Sequence, residues 1–288
     1  MLENYPKVTI PYSQLGGFRY SSNEPFILTV EWDGVKFDFL IRIRERSSHL
    51  LILGSGAGTM DNEKRVPTPY FQRHSWINDF EDSVIYYNDP TLYFSDKLLL
   101  GWGQGTKDRF YLKDIAAILE KLIEKTQIQK NKVIFYGSSG GGFMSMILAG
   151  YIKESAALAN GPQTCLTKWL PYPVQQVFDF SYPGMTFAEV LSKYPDRINL
   201  IEFYKSIKYV PKIYYLQNAY CELDIKDHVI PFIEGLQKMG SGVTVNKVKF
   251  DFYYLVQPGP AVLPAIGGHG ALGKIDTIKY INKVKTEF

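Results

Sequence analysis

Phe26, Leu28, Val30 and Trp32 alternate with Ile27, Thr29 and Glu31, and Val35, Phe37, Phe39, Ile41 and Ile43 alternate with a set that includes Lys36, Asp38 and Arg42. Asp33-Gly34, a pair favoured at the tip of a two-residue hairpin, separates the two runs. The pattern predicts two strands with one buried face. Beyond residue 47 the pattern changes to short apolar runs: Leu50 to Leu53, Ser83 to Tyr87, Lys97 to Leu100, Lys132 to Tyr136, Ser155 to Leu158 and Pro211 to Asn218. Most of these suit strands covered on both faces. Between and after them come helical spacings. Leu112, Ile115, Ala116, Leu119, Leu122 and Ile123 share one face of Asp108 to Lys125; Phe143 to Leu148, Ile230 to Met239 and Lys274 to Lys285 also read as helices. Val243 to Tyr254 is the expected last strand. Strand alternating with helix specifies a mostly parallel sheet with helices on both faces.

This divides the chain into a small N-terminal β region, residues 1–47, and a larger α/β unit, residues 48–288. Nothing in the first converges on a site, so an extension of the main sheet or a packing flap is preferred to a carbohydrate-binding appendage. Residues 60–80, with Arg65, Tyr70, Phe71, Arg73, His74 and Trp76, form an irregular loop able to rim a site. Residues 163–208 are dense in proline and aromatics, among them Trp169, Tyr172, Phe178, Phe180, Tyr182 and Phe187. They predict a cap inserted over the carboxyl ends of the strands, where such sheets bind ligands.

Composition narrows the function classes. A net charge of +3 over 288 residues, without a basic run, gives no support to nucleic-acid binding. An aromatic share of 15%, with 21 Tyr, suits a sugar or another amphipathic ligand. Cys165 and Cys221 make no metal spacing and read as free thiols in a reducing compartment. There is no charged and then apolar leader, and no run reaches the ~20 apolar residues of a membrane helix. The expectation is a soluble, cytoplasmic protein that requires no metal or cofactor.

The chemistry centres on Gly137-Ser138-Ser139-Gly140-Gly141, which fits Gly-x-Ser-x-Gly between an apolar strand and a helix start. That is the nucleophile-elbow pattern, with Ser139 as nucleophile. The competing reading is a glycine-rich phosphate turn at a helix N-terminus, but the Gly-Lys-Ser/Thr of a P-loop is absent. Gly54-Ser55-Gly56 ends an early strand and lacks the third glycine of a dinucleotide loop. Its amides at Ser55 and Gly56, with that of Gly140, are the candidate oxyanion donors. Of four histidines, His49 and His74 precede the serine, and His228 sits within an acidic loop. His269, between two glycines after the last strand, is the candidate base. For the orienting acid, Glu222, Asp224 and Asp227 share one loop; proximity to the strand end favours Glu222, and Asp227 suits a helix cap.

The elbow, the Gly54-Ser55-Gly56 loop, the phrase Tyr215-Leu216-Gln217-Asn218 and the late Gly-His-Gly resemble the α/β-hydrolase superfamily over about residues 48–288. More narrowly, the chain resembles bacterial proteins of surface-glycan and capsule biosynthesis, including the glycan O-acetyltransferase of the accessory Sec system. That resemblance implies O-acetylation of glycan by a serine, a glutamate and a histidine, which fall here on Ser139, Glu222 and His269. The expected function is a serine-dependent esterase or O-acyltransferase acting on carbohydrate, with glycan-biosynthesis proteins as possible partners. The alternatives are a non-catalytic binding or assembly protein of a glycan-export complex and, more weakly, a nucleotide-sugar binder.

Overall fold

The computed structural model describes residues 2–61, 64–65, 67–258 and 266–288. Nine strands form the main sheet: β1 (Lys7–Pro11), β2 (Phe26–Trp32), β3 (Val35–Arg42), β4 (Leu50–Gly54), β5 (Ser83–Tyr87), β6 (Val133–Ser138), β7 (Ala156–Asn160), β8 (Lys212–Asn218) and β9 (Val248–Tyr253). Their order is β1-β2-β3-β5-β4-β6-β7-β8-β9. Only β3 runs against its neighbours. The other pairings are parallel, so their carboxyl ends lie along one edge.

The β2–β3 turn has Asp33 and Gly34 at φ 45° and 77°, as a two-residue hairpin of this hand requires. The expected single buried face is incorrect. Ile27, Asp38, Leu40 and Arg42, on the other face, are buried as well. The reason is that β3 lies inside the sheet, between β2 and β5, rather than at an exposed hairpin edge. Two polar residues on that face find partners there: one terminal guanidinium nitrogen of Arg42 donates to the Phe80 and Asp82 carbonyls at 2.8 and 2.9 Å, while its buried Nε has no partner among the described residues. Asp38 accepts from Thr29 Oγ1 and the Tyr93 hydroxyl, each at 2.6 Å. Residues 1–47 thus continue the main sheet.

Helix α1 (Tyr111–Thr126) buries Leu112, Ile115, Leu119 and Leu122 against the sheet, each side chain contributing roughly 2 kcal/mol. Helix α2 (Gly140–Tyr151) follows the elbow and is buried from Gly140 to Gly150, which explains its lack of a polar face. These helices share one hydrophobic core with α3 (Pro171–Ser181), α4 (Phe187–Lys193), α5 (Pro195–Ile198) and α6 (Leu200–Ile207), the helices of the segment expected to form a cap. After β8, a helical turn at Glu222–Asp224 and a π-helical turn at Ile225–Val229 lead into α7 (Ile230–Gln237). Helix α8 (Lys274–Glu287) lays Ile281 and Val284 on the opposite face of the sheet, in a second core with Ile134, Tyr136 and Leu158.

The expected last strand is divided into Thr244–Val245, paired with Tyr209–Val210, and β9. Part of the glycine- and proline-rich loop after it, residues 259–265, lies outside the described residues. Among those described, no helix is long and apolar enough to cross a membrane.

Candidate active site

Ser139 sits between the end of β6 and the start of α2, with φ 54° and ψ −126°. A non-glycine residue held there is strained by roughly 1–3 kcal/mol. Neighbouring packing enforces the turn. A Cβ at Gly137 would come within 2.2 Å of the Gly141 carbonyl, so the residues two before and two after the serine must be bare.

The loops at the carboxyl edge bring three distant residues together. His269 Nε2 is 2.9 Å from Ser139 Oγ. On its other side, Nδ1 lies 2.9 and 2.8 Å from the two oxygens of Asp224. An ionised carboxylate only accepts, so Nδ1 carries the proton and Nε2 is left to accept from the serine hydroxyl. Burial pushes the Asp224 carboxyl up, but the hydrogen bond and charge of His269 and a bond from Gln217 outweigh it. The net shift is downward, so Asp224 is a carboxylate at neutral pH.

The histidine loop is tied to the end of β8 by one side chain. Asn218 Nδ2 donates to the carbonyls of Leu255 and Gly268, and Oδ1 accepts from the Tyr220 and Leu255 amides. Gly268, at φ 82°, brings the chain so close that a Cβ would meet the Cys221 amide at 2.9 Å. The segment between β7 and β8 also reaches the site: the Trp169 ring lies 4.5 Å from that of His269.

The acid expected first, Glu222, does not meet the histidine. Glu222 is exposed and Asp227 half-buried, whereas Asp224 is buried against Gln217 and His269. Proximity to the strand end misleads because the chain turns helical at Glu222. Two residues along a helix rotate a side chain by about 200°. Glu222 therefore faces water, and Asp224 faces back to the strand ends.

The oxyanion donors also need one correction. The loop after β4 does lie on the elbow, since a Cβ at Gly141 would touch Gly54 O and Ser55 C at 2.9 Å. The Gly56 amide, however, donates to Gln72 Oε1 at 3.0 Å. Ser55 Oγ is bonded to Tyr70 O and the Gln72 amide, which fixes the loop. The Gly140 and Ser55 amides have no acceptor among the described residues.

Sequence reading missed Gln163. It is fully buried, and its Nε2 donates to Ser139 Oγ at 2.8 Å and lies 3.5 Å from His269 Nε2. Its orientation follows from Trp102, whose indole N–H can only donate and lies 3.2 Å from Gln163 Oε1. The Gly161-Pro162 turn after a strand was the only available signal.

Cys221, Asp224 and His269 place potential metal-ligand atoms within 4.8 Å of one another. Burial pushes the Cys221 thiol up to about 12, and the other two groups are bonded to each other. A protonated thiol beside an engaged acid–imidazole pair is a poor donor set. Both cysteines are free thiols.

His228 is fully buried and accepts from the Thr164 amide through Nδ1. Burial pushes its pKa down to about 4. The folded state therefore keeps it neutral where an unfolded chain would take up a proton. Stability is complete above pH ~6.5 and falls as pH drops through 6.5 toward 4, by on the order of 3 kcal/mol. Urea denaturation across that window should show this slope, and His228→Leu should flatten it.

No family model matches the chain, and no curated protein matches it. Solved structures do match in fold. The capsule O-acetyltransferase of Neisseria meningitidis serogroup A superposes with a TM-score of 0.63 at 14% identity, covering 94% of this chain and 97% of that one. A mutant of that enzyme in complex with CoA gives 0.61 at 14% identity, over 94% and 99%. Acetyl xylan esterase 1 from Thermoanaerobacterium sp. JW/SL YS485 gives 0.54 at 12% identity, over 94% and 86%. The chain has the α/β-hydrolase fold.

Proposed function

We propose that this protein is a serine-dependent esterase or O-acyltransferase acting on a carbohydrate. The observation that carries the reading is the continuous hydrogen-bonded line from Ser139 Oγ through His269 to the buried Asp224 carboxylate. A non-catalytic assembly protein has no need of that line. The choice of carbohydrate draws on the aromatic residues of the proposed cap and on the capsule O-acetyltransferase and acetyl xylan esterase that share the fold.

In this mechanism His269 Nε2 takes the Ser139 proton as Oγ attacks an ester or thioester carbonyl. Asp224 stabilises the imidazolium that forms. The Gly140 and Ser55 amides receive the negative oxygen, each contributing about 3 kcal/mol in the transition state. His269 returns the proton to the departing alcohol or thiol, leaving acyl-Ser139. Water or a sugar hydroxyl then gives its proton to His269 and attacks the acyl carbon, which regenerates the serine. The neighbouring fold bound to CoA makes an acyl-CoA thioester a donor worth testing beside simple esters.

Gln163 has a defined part in this sequence. Its N–H supports negative charge on Ser139 Oγ during attack. An ester oxygen accepts poorly, so acylation frees that N–H for the incoming hydroxyl beside His269. Gln163→Leu should slow acylation by about 10- to 100-fold, the worth of a hydrogen bond to a charged group. The labelling rate with a fluorophosphonate measures this, and an unchanged rate removes Gln163 from the chemistry.

The test of function is turnover of p-nitrophenyl acetate and acetyl-CoA, with and without a sugar acceptor. Acetate alone as product identifies an esterase and acetylated sugar a transferase. No turnover of either donor, with or without acceptor, by folded protein contradicts the proposal.

A further inference from the structure

Arg73 lies at the edge of the proposed active site and has no role in the acyl chemistry. One guanidinium nitrogen donates to Ser138 Oγ at 2.8 Å, one residue from the nucleophile. The other donates at 2.7 Å to Gln72 Oε1, which also holds the Gly56 amide. The group thus sits where the loop after β4 meets the elbow; a Cβ on Gly56 would lie 3.7 Å from that of Ser139.

The surroundings of this cation are unusual. Its hydrogen-bond acceptors are neutral, and among the described residues no carboxylate pairs with it. The guanidinium lies 5.4 and 5.3 Å from the ring centres of Trp76 and Tyr136. Its backbone is held left-handed, at φ 65°, with its carbonyl accepting from the Tyr86 hydroxyl. Arginine keeps its charge at any working pH. The bonds to Ser138 and Gln72 engage two of the five N–H donors of the guanidinium, and the others have no acceptor among the described residues. The result is a fixed, half-buried positive charge with an open donor beside the serine.

We infer that Arg73 is an anion-recognition residue and that the substrate is an acidic saccharide, carrying a carboxylate or phosphate near the hydroxyl or ester that reacts. An acyl-CoA does not meet this requirement, because its pantetheine arm sets the phosphates far from the reacting carbon. A planar fork with spare N–H donors matches both acidic groups. The inference rests on the esterase or acyltransferase reading for its substrate, but its test does not depend on turnover.

Ser139→Ala protein is titrated with glucose, glucuronate and glucose 6-phosphate at constant ionic strength, followed by ligand-observed NMR. The inference predicts that at least one acidic sugar binds ten times or more tighter than glucose. Glucuronate and glucose 6-phosphate distinguish carboxylate from phosphate. Added Arg73→Gln should abolish the preference and Arg73→Lys should keep part of it. Should Arg73→Gln not fold, the Lys variant and the parent ratio decide. Equal binding of the three sugars, binding of none, or an unchanged preference in Arg73→Gln overturns the inference. Acidic-sugar preference without ester turnover leaves the anion site standing and removes the catalytic reading; turnover without preference does the reverse.

Discussion

Ser139→Ala should lower acyl turnover by about 10⁴-fold or more while leaving the fold intact. The hydroxyl is the only group in the line that can form the acyl bond, so its removal leaves binding and the oxyanion amides alone. The substitution should cost about 1–3 kcal/mol of stability, since it leaves the buried Gln163 amide without that acceptor. Ser139 accepts from Gln163 and shares its proton with His269, and a methyl group relieves none of the backbone strain at φ 54°. Initial rates with p-nitrophenyl acetate, paired with a thermal melt of each protein, measure both effects. A variant that keeps a tenth of the wild-type rate contradicts the assignment of Ser139 as nucleophile.

The second large effect separates two acids two residues apart. Asp224→Asn should reduce kcat by about 10³- to 10⁴-fold. An amide can turn its NH₂ toward Nδ1, forcing the proton to Nε2 and leaving no base facing Ser139. It also removes the charge that stabilises the imidazolium. Glu222→Gln, on an exposed side chain, should stay within about threefold of wild type, as surface changes distant from the chemistry do. Paired kcat measurements decide. A large loss in Glu222→Gln with little in Asp224→Asn would mean that the functional state differs from this geometry.

These two residues also show how far the sequence could be read. The elbow turn at Ser139 was legible because a strained strand-to-helix turn needs bare residues at Gly137 and Gly141, a local and steric demand. His269 was legible because chain order and four histidines leave few choices. The acid was narrowed to one loop and no further, since its identity depends on where a helical turn begins. That start falls at Cys221–Glu222, a boundary that local pattern does not encode. The Gly56 amide was lost to Gln72 for a similar reason: a partner 16 residues along the chain is invisible to motif spacing.

The N-terminal strands show the limit in the other direction. Alternation in β2 and β3 correctly marked two strands, and Asp33-Gly34 their turn. It could not show that β3 pairs with β5 on its far side. That pairing buries Arg42 and Asp38, and polar residues on a strand read as solvent-facing unless their partners are known. Gln163 and Arg73 are also set by tertiary contacts, with Trp102 and Ser138.

The central claim is that Ser139, His269 and Asp224 work as one unit. The most direct measurement is the site and rate of fluorophosphonate labelling, read by peptide mass spectrometry in wild type, His269→Ala and Asp224→Asn. The account predicts a single adduct on Ser139 in wild type and labelling slowed by about 10³-fold or more in both variants. An adduct on another residue, or undiminished labelling of Ser139 without His269, would contradict it.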